Sequence, residues 1–160
     1  MAAKFPRRIW TNWQTLEFAS HSFITAPKCE TTRATLLSGK YHHQVKIARL
    51  QNCRTIAEHL RQLKYRTLMT GKWHMDQTPL ERGFQRYFGH LSGATNFFTG
   101  DDTFLLGDQP FSVPANGFYT TDANVDYALE FLNASPLDQP LFCMSPSTLR
   151  IIRCKRRKAK

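Results

Sequence analysis

Two short segments hold the residues best suited to covalent chemistry. They read Cys-Glu-Thr-Thr-Arg-Ala-Thr-Leu-Leu-Ser-Gly over residues 29–39 and Gly-Lys-Trp-His over residues 71–74. Cys29 is a candidate nucleophile, and Arg33 would lie one helical turn below it on the same face. Lys72 is a compact cation, and His74 can exchange a proton near neutral pH. If the second segment is extended, Lys72 and His74 share one face and Trp73 points to the other.

Each of these residues also has a structural alternative. A free cysteine is most often a buried, inert residue, and Arg33 could be a solvated surface arginine. Lys72 could end a strand without contacting a ligand, and His74 could be a hydrogen-bonded core histidine. The occurrence of both segments in one chain favours the chemical interpretation.

Cap and strand signals predict the elements that would position the two segments. A helix is predicted over residues 31–39, with Thr31 and Thr32 as its caps and Gly39 as its end. Residues 65–70 are short and β-prone and are predicted to form a strand. That strand would deliver Gly-Lys-Trp-His at its carboxyl end, where open α/β sheets bind ligands.

Two further helices are predicted from caps and apolar periodicity. A capping-box pattern begins a helix over residues 55–64, and Thr121 and Asp122 are the predicted cap of another. The predicted buried faces are Ile56, Leu60 and Leu63 in the first, and Val125, Ala128, Leu129 and Leu132 in the second. A strand is predicted to begin at residues 141–142.

Residues 75–118 show weak periodicity and are predicted to form long loops with a short hairpin. His90, Asp101 and Asp102 would lie in these loops, where long connections tend to be functional. The order helix, strand, loop, helix, strand predicts a layered α/β sheet.

The two chemical segments resemble the signature of type I sulfatases, the arylsulfatase family of the alkaline-phosphatase-like superfamily. That signature is Cys-x-Pro-x-Arg leading into Leu-Leu-x-Gly, followed by Gly-Lys-Trp-His. Residues 81–84 and 87–89 are similar to a further family stretch, Arg-Gly-Phe-Asp before Phe-Gly, with Gln85 at the usual aspartate. The resemblance covers about residues 26–142. It identifies the chain as an N-terminal sulfatase fragment with part of a layered α/β/α fold.

The resemblance implies a formylglycine-dependent sulfuric ester hydrolase. Cys29 would be oxidised to formylglycine, whose hydrate attacks the sulfate ester, and Arg33 would hold the formylglycine and help neutralise the sulfate. Lys72 would bridge nucleophile and sulfate, and His74 would orient or deprotonate the hydrate. Thr31 departs from the family's modification motif, which has Pro or Ala at that position.

The resemblance also implies calcium as a cofactor. Family members bind one calcium ion through about four acidic or amide side chains and the formylglycine oxygen. Only Cys29, as formylglycine, would be such a ligand in this chain, because the family's acidic ligands belong before the cysteine segment and after residue 160. We therefore expect this chain alone to be inactive.

The positive charge of the chain lies at its ends. The formal net charge is +10, of which residues 26–142 carry +1, residues 1–25 carry +2 and residues 143–160 carry +7. The near-neutral middle argues against a nucleic-acid partner. Shifted reading frames of both ends can encode sulfatase-like segments. Our hypothesis is that the atypical residues 1–25 and the basic tail 143–160 are out-of-frame translation, and a divergent protein with a basic tail is the alternative.

Two other functions stay open. One is a phosphonate or phosphate monoester hydrolase of the same superfamily. The other is a non-enzymatic binding protein that uses the basic residues 155–160 on nucleic acid or acidic surfaces. A sulfatase would have as partners a sulfate ester, such as a sulfated carbohydrate, and a formylglycine-generating system. Family members are commonly exported, yet we predict no signal peptide and no membrane span, so the compartment stays open.

Overall fold

The computed structural model describes residues 26–135 and 139–145. Within them the helices are α1 (Cys29–Ser38), α2 (Ile56–Gln62) and α3 (Thr120–Asn133), with a 3-10 helix at Ile47–Arg49. The strands are β1 (Arg66–Thr70), β2 (Arg86–His90), β3 (Phe104–Leu106), β4 (Gln109–Pro110) and β5 (Leu141–Met144). The hypothesis of out-of-frame translation concerns residues 1–25 and 143–160. Of these, only residues 143–145 belong to the described part of the chain.

The strands form a mixed sheet in the order β4-β3-β2-β1-β5. β1 lies parallel to both β2 and β5, whereas β3 is antiparallel to β2 and to β4. Parallel strands end at the same edge of a sheet, so the segments that follow β1 and β2 meet there. The backbone amide of Trp73 donates to the carbonyl of His90 at 3.0 Å, which ties those two segments together.

Apolar side chains cover both faces of the sheet. Met69 and Tyr87 belong to one buried cluster, and their neighbours Leu68 and Phe88 belong to a second cluster on the opposite face. Helices α1 and α2 contribute Ala34, Leu37 and Ala57 to the first cluster, and α3 contributes Phe131 to the second. The layered α/β arrangement agrees with the predicted fold class.

Helix α1 begins at the cysteine, two residues earlier than predicted. Lys28 is its N-cap, with an extended backbone and no side-chain cap hydrogen bond, so the prediction of Thr31 and Thr32 as caps is wrong. The Thr31 hydroxyl instead donates to the Lys28 carbonyl at 2.8 Å within the first turn. Gly39 ends the helix with φ at 66°, as predicted, because glycine adopts this left-handed conformation without strain.

Helix α2 confirms the predicted capping box but not the predicted buried face. The Thr55 hydroxyl accepts from the Glu58 amide at 3.1 Å, and the Glu58 carboxylate accepts from the Thr55 amide at 2.7 Å. Ile56 is 42% exposed, and Ala57 is the residue that the helix buries. Gly83 explains this orientation: a Cβ there would lie 2.4 Å from the Glu58 nitrogen, so the chain packs directly on the helix backbone.

Helix α3 also begins one residue earlier than its predicted cap and turns a different face inward. Its N-cap is Tyr119, without a side-chain cap hydrogen bond. Val125 and Leu129 are about half exposed, whereas Phe131 is buried. Aromatic packing outweighs the aliphatic periodicity, because Tyr127 stacks on Phe88 of β2 with ring centroids 3.9 Å apart.

Strand β2 corrects the prediction that residues 75–118 are loops with one hairpin. The hairpin exists as β3 and β4, but Arg86–His90 forms a central strand. His90 is its last residue and is fully buried, so its predicted placement in a variable loop is wrong. Gly89 interrupts the β-prone pattern of this strand. Glycine is required at this position because a Cβ would lie 2.1 Å from the Gly71 carbonyl oxygen.

Among the described residues, no helix combines the length and hydrophobicity needed to cross a membrane.

Candidate active site

The four residues predicted to carry chemistry meet at the carboxyl end of β1. Cys29 is the first residue of α1, and Arg33 follows one turn later. Lys72 and His74 lie in the segment directly after β1, which passes in front of the N-terminal turn of α1. The partial positive charge of a helix N-terminus favours an anion beside Cys29.

Cys29 and His74 are in direct contact. The Cys29 sulfur lies 3.1 Å from Nδ1 of His74, and Nε2 of the same ring faces a Glu30 carboxylate oxygen at 3.7 Å. Burial, followed by the nearby Lys72 charge, lowers the pKa of His74 against the opposing effect of Glu30. A neutral ring with its proton directed toward Glu30 leaves the lone pair of Nδ1 free to face the nucleophile.

Arg33 is a buried residue of the site. Its guanidinium donates to the backbone carbonyl of Lys72 at 2.6 Å, and the side chain is 7% exposed. Burial lowers the pKa of Arg33, and the nearby Cys29 opposes that effect, but an arginine stays charged in proteins. Arg33 is therefore not a solvated surface arginine, because it is buried and its hydrogen bond joins α1 to the segment after β1.

Lys72 is fully buried and directs its ammonium group into the site. The ammonium donates to the Gly93 carbonyl. Burial lowers the pKa of Lys72, and the nearby Cys29 opposes that effect. Trp73, on the opposite side of the segment, packs edge-on against Phe84 at 6.0 Å. The alternation therefore separates a core side chain from two side chains that face Cys29.

Gly93 also borders the site, and no motif in the sequence predicted this. A Cβ at this position would lie 2.8 Å from Nε2 of His74, so no side chain fits there without displacing the ring. Gly93 thus touches His74 and accepts the hydrogen bond of Lys72. Its only sequence signal was a glycine within a stretch predicted to be loop.

The described residues do not fit a calcium site. They contain no group of three or more His, Cys, Asp or Glu side chains that could hold a metal ion. Calcium takes about six to eight oxygen ligands, and next to Cys29 the described part of the chain places two cations and the carboxylate of Glu30. The donor set that lies around Cys29 in this structure suits an anion.

Comparison with known proteins finds relatives of this chain. A family model described as Sulfatase matches residues 12–146. The arylsulfatase of Klebsiella aerogenes is 26% identical over 153 residues, and the alignment covers 75% of this chain and 32% of that protein. Arylsulfatase J of Mus musculus is 26% identical over 147 residues, with 76% of this chain and 24% of that protein covered. The chain thus spans about a third or less of these relatives.

Solved structures agree with these matches. Ps i-CgsB superposes with a TM-score of 0.61 at 25% identity, covering 74% of this chain and 34% of that protein. BT4656, solved in complex with its substrate D-glucosamine-2-N,6-O-disulfate, gives a TM-score of 0.61 at 25% identity over 72% of this chain and 23% of its own. PsFucS1 sulfatase from Pseudoalteromonas sp. shares the fold, with a TM-score of 0.61 at 16% identity, over 76% of this chain and 34% of that one.

Proposed function

Because this chain belongs to the sulfatase family, we propose that the site around Cys29 hydrolyses sulfate esters. The observation that carries the proposal is the contact of Cys29 with His74, beside the buried cations Arg33 and Lys72. A nucleophile, a proton acceptor and two cations are the groups that attack on an anionic ester requires.

In this proposal the two cations have different duties. Lys72 lies near Cys29 and would bind a sulfate oxygen while holding the nucleophile. Arg33 lies one helical turn after Cys29, where its charge would attract the sulfate, and its hydrogen bond fixes the backbone that carries Lys72. Both charges are already desolvated, so they stabilise developing negative charge more strongly than solvated cations would.

His74 is the proposed proton acceptor. Its Nδ1 atom faces Cys29 at 3.1 Å, which is within reach of a proton on the nucleophile. Glu30 faces the other ring nitrogen and would hold the tautomer that leaves Nδ1 unprotonated. The proton would then pass to the departing alcohol oxygen as the ester bond to sulfur breaks, which leaves Nδ1 free to accept the second hydroxyl's proton when the sulfate is released.

Formylglycine at position 29 fits the surroundings of Cys29, because Lys72 and His74 converge on its sulfur. When present, its hydrate supplies one hydroxyl to attack sulfur and another to expel the sulfate afterwards. Thr31 stands where the modification motif has Pro or Ala, and its hydroxyl is satisfied inside the helix by the Lys28 carbonyl. We assign no step to calcium, since the described residues do not supply its oxygen ligands.

The proposed substrate class is a sulfated carbohydrate. The support is the similarity to BT4656, whose solved complex contains a sulfated glucosamine. A phosphate or phosphonate monoester would meet the same two cations, so the reaction assay must compare the three ester classes.

The test begins with anion binding. In the unconverted chain, inorganic sulfate should protect Cys29 from iodoacetamide, Lys72→Ala should lose that protection, and Lys40→Ala should keep it because Lys40 is exposed. Absence of any protection would exclude the proposed sulfate site.

Hydrolysis is measured separately. The chain is produced with a formylglycine-generating system, conversion of Cys29 is checked by mass spectrometry, and para-nitrophenyl sulfate, phosphate and phenylphosphonate esters are compared with calcium supplied. Where an ester is hydrolysed, the proposal expects preference for the sulfate ester, lost in Cys29→Ala and kept in Cys53→Ala. Such turnover would also overturn the expectation that this chain alone is inactive. Preference for a phosphorus ester would transfer the proposal to the related hydrolases.

A further inference from the structure

Gly93 directly follows Ser92, and Ser92 belongs to a hydrogen-bonded network outside the four predicted residues. The Ser92 hydroxyl donates to Oδ2 of Asp101 at 2.7 Å, and the Ser92 amide donates to the Thr103 hydroxyl at 3.1 Å. The Thr103 amide and hydroxyl donate to Oδ1 of Asp101 at 2.8 and 2.5 Å. Asp101 thus anchors the residue directly before Gly93 through both of its carboxylate oxygens.

The anchoring carboxylate is charged. Burial raises the pKa of Asp101, but the hydrogen bonds from Thr103 and Ser92 outweigh it and hold the pKa below its usual value. A hydrogen bond to a charged acceptor is about twice as strong as a neutral one. The Ser92 hydroxyl, which also lies 3.0 Å from the Ala94 carbonyl, therefore has its best acceptor in Asp101.

His90 completes the network from the strand side. Its Nδ1 atom lies 2.9 Å from the Ser92 oxygen. Because the only hydroxyl proton of Ser92 is directed to Asp101, the imidazole must donate from Nδ1. His90 thereby fixes Ser92 against β2, whose end is bonded to the segment that carries Lys72.

We propose that Asp101, Ser92 and His90 form a positioning network that holds the Gly93 carbonyl in place and so sets Lys72 and His74 around Cys29. The inference rests on the site proposed above, but it concerns how that site is held. Two contacts of Gly93 carry it: the carbonyl accepts from the Lys72 ammonium, and the Cα lies against the His74 ring with no space for a side chain. A displaced Gly93 would release both residues together.

The test uses thiol reactivity, which does not depend on sulfate hydrolysis. The full chain carries Cys53→Ser, Cys143→Ser and Cys154→Ser, so that iodoacetamide reports Cys29 alone. The reactive species is the thiolate, and His74 is the proton acceptor that contacts Cys29. We expect Asp101→Asn to lower the alkylation rate at pH 7 about threefold, because displacement of Gly93 releases Lys72 and moves His74 away from Cys29.

Asp102→Asn is the matched control, because it removes the same charge from an adjacent exposed residue. It should react at the parent rate. Ser92→Ala should be slowed as Asp101→Asn is, and Ser92→Thr, which keeps the hydroxyl, should restore the parent rate. Loss of packing alone would not be reversed by returning a hydroxyl.

Parent rates in Asp101→Asn and Ser92→Ala would overturn the network, as would equal slowing in Asp102→Asn. Slowing in Ser92→Ala that Ser92→Thr does not reverse would also overturn it. If Asp101→Asn fails to fold, the comparison of Ser92→Ala with Ser92→Thr tests the network by itself. If the chain hydrolyses no sulfate ester but these rates differ as expected, the proposed reaction fails and the positioning network stands.

Discussion

Acid should destabilise this fold chiefly through His90. Burial lowers the pKa of His90 to about 4 from its ordinary 6.5, with the Asp101 charge opposing the effect and the Lys72 and Arg33 charges adding to it. The folded state therefore binds fewer protons than the unfolded state between these values. Its contribution to stability is complete above pH 6.5 and is lost as the pH falls toward about 4.

The magnitude follows from the size of the pKa difference. The whole shift corresponds to roughly 3 kcal/mol, and lowering the pH from 7 to 5 should cost about 2 kcal/mol of unfolding free energy. Asp101 adds little in this interval, because its pKa lies below the ordinary carboxylate value. His74 shifts in the same direction and must therefore be separated from His90 by mutation.

Urea unfolding followed by circular dichroism at pH 7 and pH 5 measures this effect. His90→Gln keeps an amide that can donate to Ser92 but cannot titrate, so about 2 kcal/mol of the pH dependence should disappear. His59→Gln, a substitution of an exposed histidine, should retain the parent's pH dependence. Equal losses of stability in the parent and in His90→Gln would refute the assignment of a neutral, buried His90.

Three further predictions concern packing and are checked by the same unfolding measurement. Gly83→Ala should lower the free energy of unfolding by about 3 kcal/mol, because the new Cβ would lie 2.4 Å from a helix backbone. Gly39→Ala, which has open space around it, should lower it by about 1 kcal/mol. Equal losses in the two variants would contradict the close approach at Gly83. Thr55→Ala should cost about 1–2 kcal/mol through loss of the capping box, and Thr55→Ser should recover most of it. Phe131→Ala should cost about 3–5 kcal/mol and Leu129→Ala less than about 0.5 kcal/mol, because only Phe131 is buried; the reverse order would restore the predicted face.

Features set by a few neighbouring residues could be predicted from the sequence. The capping box at Thr55, the end of α1 at Gly39 and the strand before Gly71 all depend on local backbone chemistry. The contact of Arg33 with the segment after β1 agrees with its spacing from Cys29 within one helix. His74 contacts Cys29 from a left-handed backbone, with φ at 56°, which the prediction of an extended segment did not include. Local patterns were therefore enough to predict which residues lie near Cys29, and their roles stay a prediction.

Features set by distant partners could not be predicted in this way. The apolar stripes of α2 and α3 contain regular aliphatic residues, yet Gly83 and the aromatic residues of β2 decide which faces are buried. The network behind Gly93 depends on β2 lying beside β1, and β2 was taken for loop because Gly89 interrupts its pattern. Pairing between strands determines these contacts, and no short window of sequence contains it.

The charges of the site explain why its support is so extensive. Arg33 and Lys72 are both buried, and their hydrogen bonds go to backbone carbonyls, which satisfy donors but do not neutralise charge. Buried charges are costly unless they are paired, so this arrangement lowers the free energy of unfolding. In the proposed reaction, the negative charge of the ester would offset that cost. The bonds through Gly93 and β2 keep the cations from relaxing toward solvent, which is the condition for charges to stabilise a reaction without reorganising.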